Sequence, residues 1–449
     1  MSSAAADFDR WIRNDFVALN TGLEEAYFAA GAQILHGRPE LETAKERIGH
    51  EGAELIRRIA ESASATSSPS MSSASSASSA SSASSASSAS SMSSMSSTRS
   101  THPNPSIPVD DDERYELLGS VGLYLGACRR HEIDGPQSAA WPLAQLLASS
   151  LGVAPRFVFA HQALYNRAVG DSFRTFTALA DEHAFILYNG LSVLAYQRTA
   201  AALRRVRTLG VSSPLTAYLL REARSGLDDV LDLGRTLSKT LDVDRFFLNI
   251  RPYFKPHRVG GVEYRGVNAG DFAAINSIDL LLGLCSPYDP FYQSLLTEKY
   301  PYMPPEDQAL LRTTVTAEPL LDAFLRETAD GPLTPQLRDN AELFLTVCRL
   351  HGAASAFHHH RLVVPFLQAP AARAEQGQGQ EPEAADLTTS GPPLHVVMAT
   401  LARLVDLRTA RQRPGTDDGG GTARPSLDRL RYALDADRDA HRDAAPNSL

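Results

Sequence analysis

Residues 343–367 of this 449-residue chain read LFLTVCRLHGAASAFHHHRLVVPFL. The first half repeats apolar residues at the spacing of one helix face, and the second half passes through small residues into three histidines. Pro365 is expected to end or kink the helix, because proline lacks the backbone N–H that a helix interior needs. The stretch therefore predicts a long buried helix that presents imidazole groups beside a surface of small side chains.

The three histidines, His358, His359 and His360, cannot all meet one metal ion, because successive helical residues point about 100° apart. His359 shares its face with small residues before it and apolar residues after it, which suits a wide, flat, buried group. Haem is such a group, since its iron takes one neutral imidazole and its ring needs a smooth surface beneath it. We predict His359 as the haem iron ligand, with His360 as the second choice.

A tract of three histidines has other interpretations. Such tracts are often solvated surface or incidental metal-binding segments, and the pattern alone leaves that interpretation open. Histidines one residue apart lack the same-face spacing of a zinc-binding helix, so the pattern favours haem over zinc.

The composition is that of an ordinary soluble globular protein. Apolar residues make up 43% of the chain and charged residues 21%, and the length of 449 residues allows two or three domains with ample core. The formal net charge is -9, and the basic residues form no cluster along the chain. The electrostatic signature of nucleic-acid binding is therefore missing, and we expect a small-molecule ligand.

Cysteine spacing and hydropathy favour a cytoplasmic location without a membrane span. Cys128, Cys285 and Cys348 lie far apart within apolar helical patterns, which argues against a disulfide framework and fits a reducing compartment. No stretch contains the roughly 18 uninterrupted apolar residues that a membrane span needs. Residues 1–11 lack the apolar core of a secretory signal.

Helical periodicity predicts the organisation of the chain. Leu and Ala dominate, and β-branched alternation never lasts beyond a few residues, so the fold is predicted to be all-α. Residues 1–62 form an N-terminal helical region and residues 109–412 the main helical domain. Segment 63–108, rich in Ser and Ala, is a disordered linker or insertion, because it cannot bury enough apolar surface to fold. Residues 371–386 are expected to form a mobile loop, and residues 413–449 a mostly disordered tail outside the core.

A second informative stretch, residues 246–271, reads FFLNIRPYFKPHRVGGVEYRGVNAGD. Phe247 and Arg251 are four residues apart and share a helix face, and Phe246 flanks them. Aromatic walls beside a guanidinium suit a planar ligand that carries a carboxylate, since arginine offers two parallel N–H donors. Core packing with an ion pair would explain Arg251 at least as well, so both interpretations stay open.

Three glycines of the first long helix of the main domain lie on one helix face. Gly119, Gly122 and Gly126 are three and four residues apart, which predicts a groove open to another helix or to a ligand. Close helix packing is the simpler explanation of the two.

The order of these motifs resembles the indoleamine 2,3-dioxygenase superfamily, and within it most closely the monodechloroaminopyrrolnitrin synthase (PrnB) family. The resemblance spans residues 113–407. The motifs that carry it are Gly122–Gly126 with Arg130 and His131, Phe246-Phe247 with Arg251–Phe254, Arg258–Gly261, Ala269-Gly270, and His359 with Leu362, Val363 and Phe366. The ordered spacing of these motifs is more specific than any one of them.

The resemblance implies an all-helical fold with a small N-terminal helical domain and a large helical domain that holds haem b on one histidine, here His359. It implies that Phe246, Phe247 and Arg251 line the distal side of the haem and serve catalysis. Arg251 would lie near the substrate carboxylate or a haem propionate. Iron held by one imidazole keeps a position open for O2 or peroxide.

The resemblance also implies a set of substrate-binding residues. These are Leu123 and Ala127 of the first helix of the large domain, Gly270 of the glycine-rich loop, and the Thr389, Ser390 and Gly391 turn. The family has an aromatic residue and a serine at the first two positions, so the same substrate contacts are not expected here. Pro392 and Pro393 should stiffen the late turn.

These observations lead to one expected function and one alternative. We expect a haem-dependent oxygenase, monomeric or homodimeric, that acts with O2 or peroxide on tryptophan or a related aromatic amino acid in specialised metabolism. No constellation of general bases accompanies the motifs, which fits chemistry carried by a cofactor. The alternative is a non-catalytic helical protein that binds haem or an aromatic ligand as a sensor or carrier.

Overall fold

The computed structural model describes residues 3–31, 34–65, 108, 110–329, 332–368, 393–411 and 423–444. Within these ranges the protein is built of helices, which confirms the all-α prediction. Most of the Ser/Ala-rich segment, the expected loop 371–386 and the Thr389–Gly391 turn lie outside the described residues.

The helices in chain order form two groups, before and after residue 241. The first group is α1 (Ser3–Trp11), α2 (Val17–Ala29), α3 (Pro39–Ala65), α4 (Asp111–Arg130), α5 (Trp141–Leu151), α6 (Phe159–Ala163), α7 (Ala180–Leu209) and α8 (Thr216–Thr240). The second group is α9 (Val243–Arg245), α10 (Ala273–Leu281), α11 (Pro290–Lys299), α12 (Pro305–Val315), α13 (Leu320–Glu327), α14 (Pro335–Phe357), α15 (Leu394–Arg408) and α16 (Arg424–Ala444).

Shorter elements interrupt these helices. Wider π-helical turns occur at Ile12–Phe16, Phe246–Ile250 and His358–Gln368, and tighter 3-10 turns at Pro136–Ala140, Arg251–Phe254 and Tyr300–Tyr302. A hairpin pairs β1 (His257–Val259) with β2 (Val262–Tyr264), antiparallel, around Gly260 and Gly261 of the second stretch. The sequence predicts no strand there, because each strand is only three residues long and has no alternating pattern.

Helices α7, α8 and α14 pack together at the centre of the fold. Helix α8 buries residues at helical spacing along one face, including Leu220, Leu227 and Leu237. Gly226 lies on this face, where an added methyl group would clash with Thr199 of α7. The missing side chain therefore lets α7 and α8 pack closely along their length.

The glycine face of α4 is filled by neighbouring side chains. An added methyl group at Gly119 would meet His161, one at Gly122 would clash with the backbone of Phe157, and one at Gly126 would meet the ring of Phe176. The groove is therefore a site of close packing within the fold.

Buried polar contacts join α2 to the C-terminal end of α4 and to Asn249. The Arg130 guanidinium donates two hydrogen bonds, 2.7 and 2.8 Å long, to the Glu24 carboxylate. Asn249 donates to the same carboxylate at 2.8 Å. His131 and Asn20 form another contact, with 2.7 Å between Nε2 and Oδ1. One apolar core includes residues of α1, α8, α14 and α16.

The C-terminal part differs from the expected tail. Residues Leu427, Leu430 and Leu434 of α16 are buried, and α16 packs on α13 and α14. Asp437 accepts hydrogen bonds from the backbone N–H of Leu333, at 3.0 Å, and from Arg338 Nε, at 2.6 Å. The expectation of a tail outside the core is therefore wrong for this helix. Three leucines at helical spacing form an apolar face, although charged residues dominate the segment.

No helix in the described ranges combines the length and the apolar composition that crossing a membrane requires.

Candidate functional site

A cavity of about 230 Å³ is enclosed by four helices: α7, α8, the C-terminal end of α14, and α15. The loop before α10 and the C-terminal end of α11 complete its wall. Most of its wall is apolar. The apolar side chains include Val193, Val230, Leu231, Leu237, Phe272, Ile275, Leu295, Phe357, Leu362, Val396, Val397, Leu401, Leu404 and Val405. A mainly apolar wall that also carries polar side chains is typical of a small-molecule or cofactor site.

The histidine segment forms one side of the cavity. Helix α14 is α-helical to Phe357, and the chain then continues as a π-helix from His358 to Gln368. Pro365 lies inside this π-helix and does not end it. π-Helical turns are rare in proteins. Those that do occur are often found at functional sites.

His358 and His359 both line the cavity. His358 is an exposed residue by its accessible surface, although protein atoms surround its ring. Burial and the nearby Arg408 cation lower the pKa of His358 to about 4. The ring is therefore neutral near pH 7, the form that binds a metal ion.

His359, the predicted ligand, is 9% exposed. Its Nδ1 is buried and has no hydrogen-bond partner among the described residues. Burial and the neighbouring His360 lower the pKa of His359. His360, the second choice, is exposed and stacks edge-on against His359 at 4.8 Å between ring centroids, and it does not line the cavity.

The chemistry of the lining residues suits a haem. The cavity, at about 230 Å³, is smaller than the roughly 300–1,000 Å³ usual for ligand pockets, so it would have to widen to admit the ring. Two neutral imidazoles occupy one wall, one of them with an unpaired ring nitrogen, and the remaining wall is mainly apolar. Two cationic side chains, Lys299 and Arg408, belong to the polar part of the lining. Cations there would favour the negatively charged propionates of a haem. In the described part of the chain, no three His, Cys, Asp or Glu side chains are arranged to hold a bare metal ion.

Arg408 belongs to a buried polar cluster behind the cavity wall. Its Nε and Nη2 each donate a 2.8 Å hydrogen bond to Asp279. His351 Nε2 lies 2.6 Å from Asp279 Oδ1. Burial alone would raise the pKa of Asp279, but the Arg408 charge and the hydrogen bonds from His351 and Arg408 lower it below its ordinary value. The positive charge of Arg408 is therefore balanced inside the protein.

Lys299 and Gly270 meet at another edge of the cavity. Lys299 Nζ donates a 3.0 Å hydrogen bond to the carbonyl oxygen of Gly270, and both residues line the cavity. Burial lowers the pKa of Lys299 to about 8, although the nearby Asp271 carboxylate favours the charged form. The amine is therefore still mostly protonated at pH 7.

The aromatic segment lies beside the histidine segment but does not line this cavity. The Phe246 ring contacts Phe185, at 5.0 Å between centroids, and Phe366 of the π-helix, at 6.2 Å. Arg251 places its guanidinium carbon 4.8 Å from the centre of the Phe247 ring. Burial lowers the pKa of Arg251 to about 10, so its charge persists at pH 7. The two predicted segments therefore meet at Phe246 and Phe366.

The other predicted substrate-binding residues divide into three groups. Gly270 lines the cavity. Leu123 and Ala127 are buried in α4 and are absent from the cavity lining. Thr389, Ser390 and Gly391 lie outside the described residues.

Sequence reasoning missed several polar residues of the cavity. Asn189 and Tyr196 come from α7, Lys299 from α11 and Arg408 from α15. Each sits alone in a helical pattern, and only tertiary packing brings the four together. The one local signal was a charged or amide side chain within an otherwise apolar helix face.

A sequence model of the family described as monodechloroaminopyrrolnitrin synthase PrnB matches residues 108–430. The match begins just before α4 and ends within α16. It covers well over half of the chain and includes every residue that lines the cavity. Helices α1 to α3 lie outside it.

Proposed function

Because the chain belongs to the monodechloroaminopyrrolnitrin synthase (PrnB) family, a family of haem-dependent oxygenases in tryptophan-related secondary metabolism, we propose that it oxidises tryptophan or a related aromatic amino acid with O2 or peroxide. The protein is thus an oxidoreductase. The proposal extends to haem b as the cofactor and to the residues that hold it.

The observation that carries this proposal is the apolar cavity with imidazoles on one wall. We propose His359 as the iron ligand, because it is buried, lines the cavity and has an unpaired Nδ1. His358 is the competing ligand, because it lines the same cavity. When bound, haem supplies an iron that activates O2 or peroxide.

The chain's own residues would orient the substrate and exclude water. Phe246 and Phe247 do not line this cavity, but the family resemblance implies that their rings would pack against an indole-like ring. Arg251 stays charged at pH 7 beside Phe247 and would attract a substrate carboxylate or a haem propionate. Gly270 has no side chain and lets its loop approach the substrate closely.

The experiment that tests the function combines spectroscopy with turnover. The protein is reconstituted with haemin, reduced, and titrated with L-tryptophan and other aromatic amino acids while its optical spectrum is recorded. We expect a Soret band, a shift of that band with at least one amino acid, and product formation under O2 with a reductant. Arg251→Ala should lose product formation, and Arg258→Ala, an exposed arginine of the same segment, should keep it.

Two results would overturn the proposal in different ways. A protein that stays colourless after reconstitution would exclude a haem enzyme. A haem-loaded protein that shifts its spectrum with an aromatic ligand, yet gives no product with O2 or with peroxide, would instead be a sensor or carrier.

A further inference from the structure

Lys299 is a buried amine that faces the cavity with most of its hydrogen-bonding capacity unused. It is 6% exposed and lies at the C-terminal end of α11. Its Nζ donates one hydrogen bond, to the Gly270 carbonyl oxygen, and makes no other to the residues that the structure describes. Because an ammonium group carries three N–H donors, two remain for another acceptor.

The carboxylates near Lys299 already have other partners. Asp271 accepts hydrogen bonds of 2.8 and 3.0 Å from the Arg265 guanidinium. Asp279 is held by Arg408. Glu298 lines the cavity but is exposed, and its carboxylate lies 3.3 Å from Arg265 Nε. None of these carboxylates forms a direct ion pair with Lys299.

A buried cation beside an apolar cavity is costly unless an anion pairs with it. The lining of the cavity that Lys299 faces includes the apolar side chains of Phe272, Ile275 and Leu295. A ligand in this cavity can approach Nζ from the open side.

We infer that Lys299 binds a carboxylate group of the ligand that occupies this cavity. The inference rests on the proposed function and adds a carboxylate subsite to it. Arg251 does not line the cavity, so the two cations would serve different groups. The carboxylate could belong to a haem propionate or to the amino-acid substrate, and the two sources can be separated experimentally.

Three variants test the subsite. Lys299→Met removes the charge and keeps the length of the side chain, whereas Lys299→Arg keeps the charge. Lys239→Met, at an exposed lysine of α8, is the matched control. Thermal unfolding of each variant shows whether it folds, and Lys299→Gln replaces Lys299→Met if the latter does not.

Haem binding is measured by Soret titration with haemin and with haemin dimethyl ester, which has no free propionate. If Lys299 binds a propionate, Lys299→Met weakens haemin binding about tenfold or more and leaves the ester unaffected. If it binds the amino acid, haemin binding is unchanged. In that case the Kd for L-tryptophan rises about tenfold or more, and the Kd for tryptamine, which lacks the carboxylate, does not change.

Lys299→Arg and Lys239→Met should behave as the unmodified protein in both titrations. The inference is overturned if Lys299→Met changes the affinity for every carboxylate probe by less than about twofold, the range expected for a substitution without a direct contact.

A calorimetric titration separates failure of this inference from failure of the proposed function. Indole-3-propionate and indole-3-propionamide are titrated into the protein without haem. If the unmodified protein takes up no haemin, the proposed function fails. Even then, tighter binding of indole-3-propionate than of the amide, lost in Lys299→Met, would support the carboxylate subsite. Equal binding of the two compounds would reject the subsite as well as the proposed function.

Discussion

The carboxylate of Glu24 and the guanidinium of Arg130 form a buried ion pair that joins α2 to α4 through two parallel hydrogen bonds of 2.7 and 2.8 Å. The backbone of Leu248 and the side chain of Asn249 bond to the same pair. The helices that precede the PrnB-matched region therefore hold the segment that carries Phe246, Phe247 and Arg251.

Loss of the Glu24 charge should destabilise the whole protein. In Glu24→Gln the Arg130 guanidinium stays buried without its counter-charge, so we expect a loss of about 3–5 kcal/mol in the free energy of unfolding. Glu25→Gln is the control, because Glu25 pairs with Arg245 at the surface and should matter by less than about 1 kcal/mol. Urea denaturation measures both. Equal stability of the two variants would show that the buried pair contributes nothing.

Asp279 should give the protein a pH-dependent stability. Its pKa is lowered in the folded state, so the carboxylate stabilises the fold above its unfolded pKa of about 4, and this contribution is lost as the pH falls through the folded value. Asp279→Asn should cost about 3–5 kcal/mol at pH 7.

The difference between Asp279→Asn and the unmodified protein should stay constant between pH 7 and pH 5. Below about pH 4 it should shrink by about 1.4 kcal/mol per pH unit. Urea denaturation at pH 7, 5 and 3 tests this dependence. A difference that grows on acidification would mean that the sign of the pKa shift is wrong.

Glycine positions in α2 and α4 should respond oppositely to alanine. Gly122→Ala would force a methyl group against the backbone of Phe157, and we expect a loss of about 1–3 kcal/mol. Gly22 has open space around its Cα, so Gly22→Ala should stabilise the protein by about 0.5–1 kcal/mol. The midpoint of thermal unfolding of each variant, compared with that of the unmodified protein, tests both expectations. A tolerant Gly122 would indicate that the groove of α4 is open after all.

Helix α16 should behave as part of the core. Leu430→Ala removes a fully buried side chain, so we expect a loss of about 2–5 kcal/mol. Tyr432→Ala, at a residue 76% exposed on the same helix, should change the stability by less than about 0.5 kcal/mol. If both variants unfold at the same temperature as the unmodified protein, α16 does not pack as described.

Local patterns determined how much of this protein the sequence could predict. Helical periodicity is a property of neighbouring residues, so the all-α fold and the helix of residues 343–357 could be read directly. The change to π-helix after Phe357 could not, because it depends on the packing that surrounds the helix. The leucines of α16 were overlooked because charged residues dominate that segment.

The candidate site was predictable only in part, for a physical reason. His359 and Gly270 belong to sequence motifs and line the cavity. Lys299 and Arg408 come from helices that are distant in sequence and belong to no motif, so only the folded chain brings them together. Phe246 packs against Phe366 of the histidine segment, and Phe247 packs against Arg251. Neither phenylalanine lines this cavity, an arrangement that helix-face reasoning within one segment does not predict.

The most direct test of the account is the Soret spectrum of haemin-reconstituted protein, compared with His358→Ala, His359→Ala and His360→Ala. We expect a stoichiometric Soret band in the unmodified protein and in His360→Ala. In His359→Ala the band should be abolished or greatly weakened and partly restored by added imidazole, and His358→Ala should keep the ligand. If His358→Ala loses the band instead, His358 is the ligand. If all three variants bind haem like the unmodified protein, no histidine of this segment holds the iron and the account is contradicted.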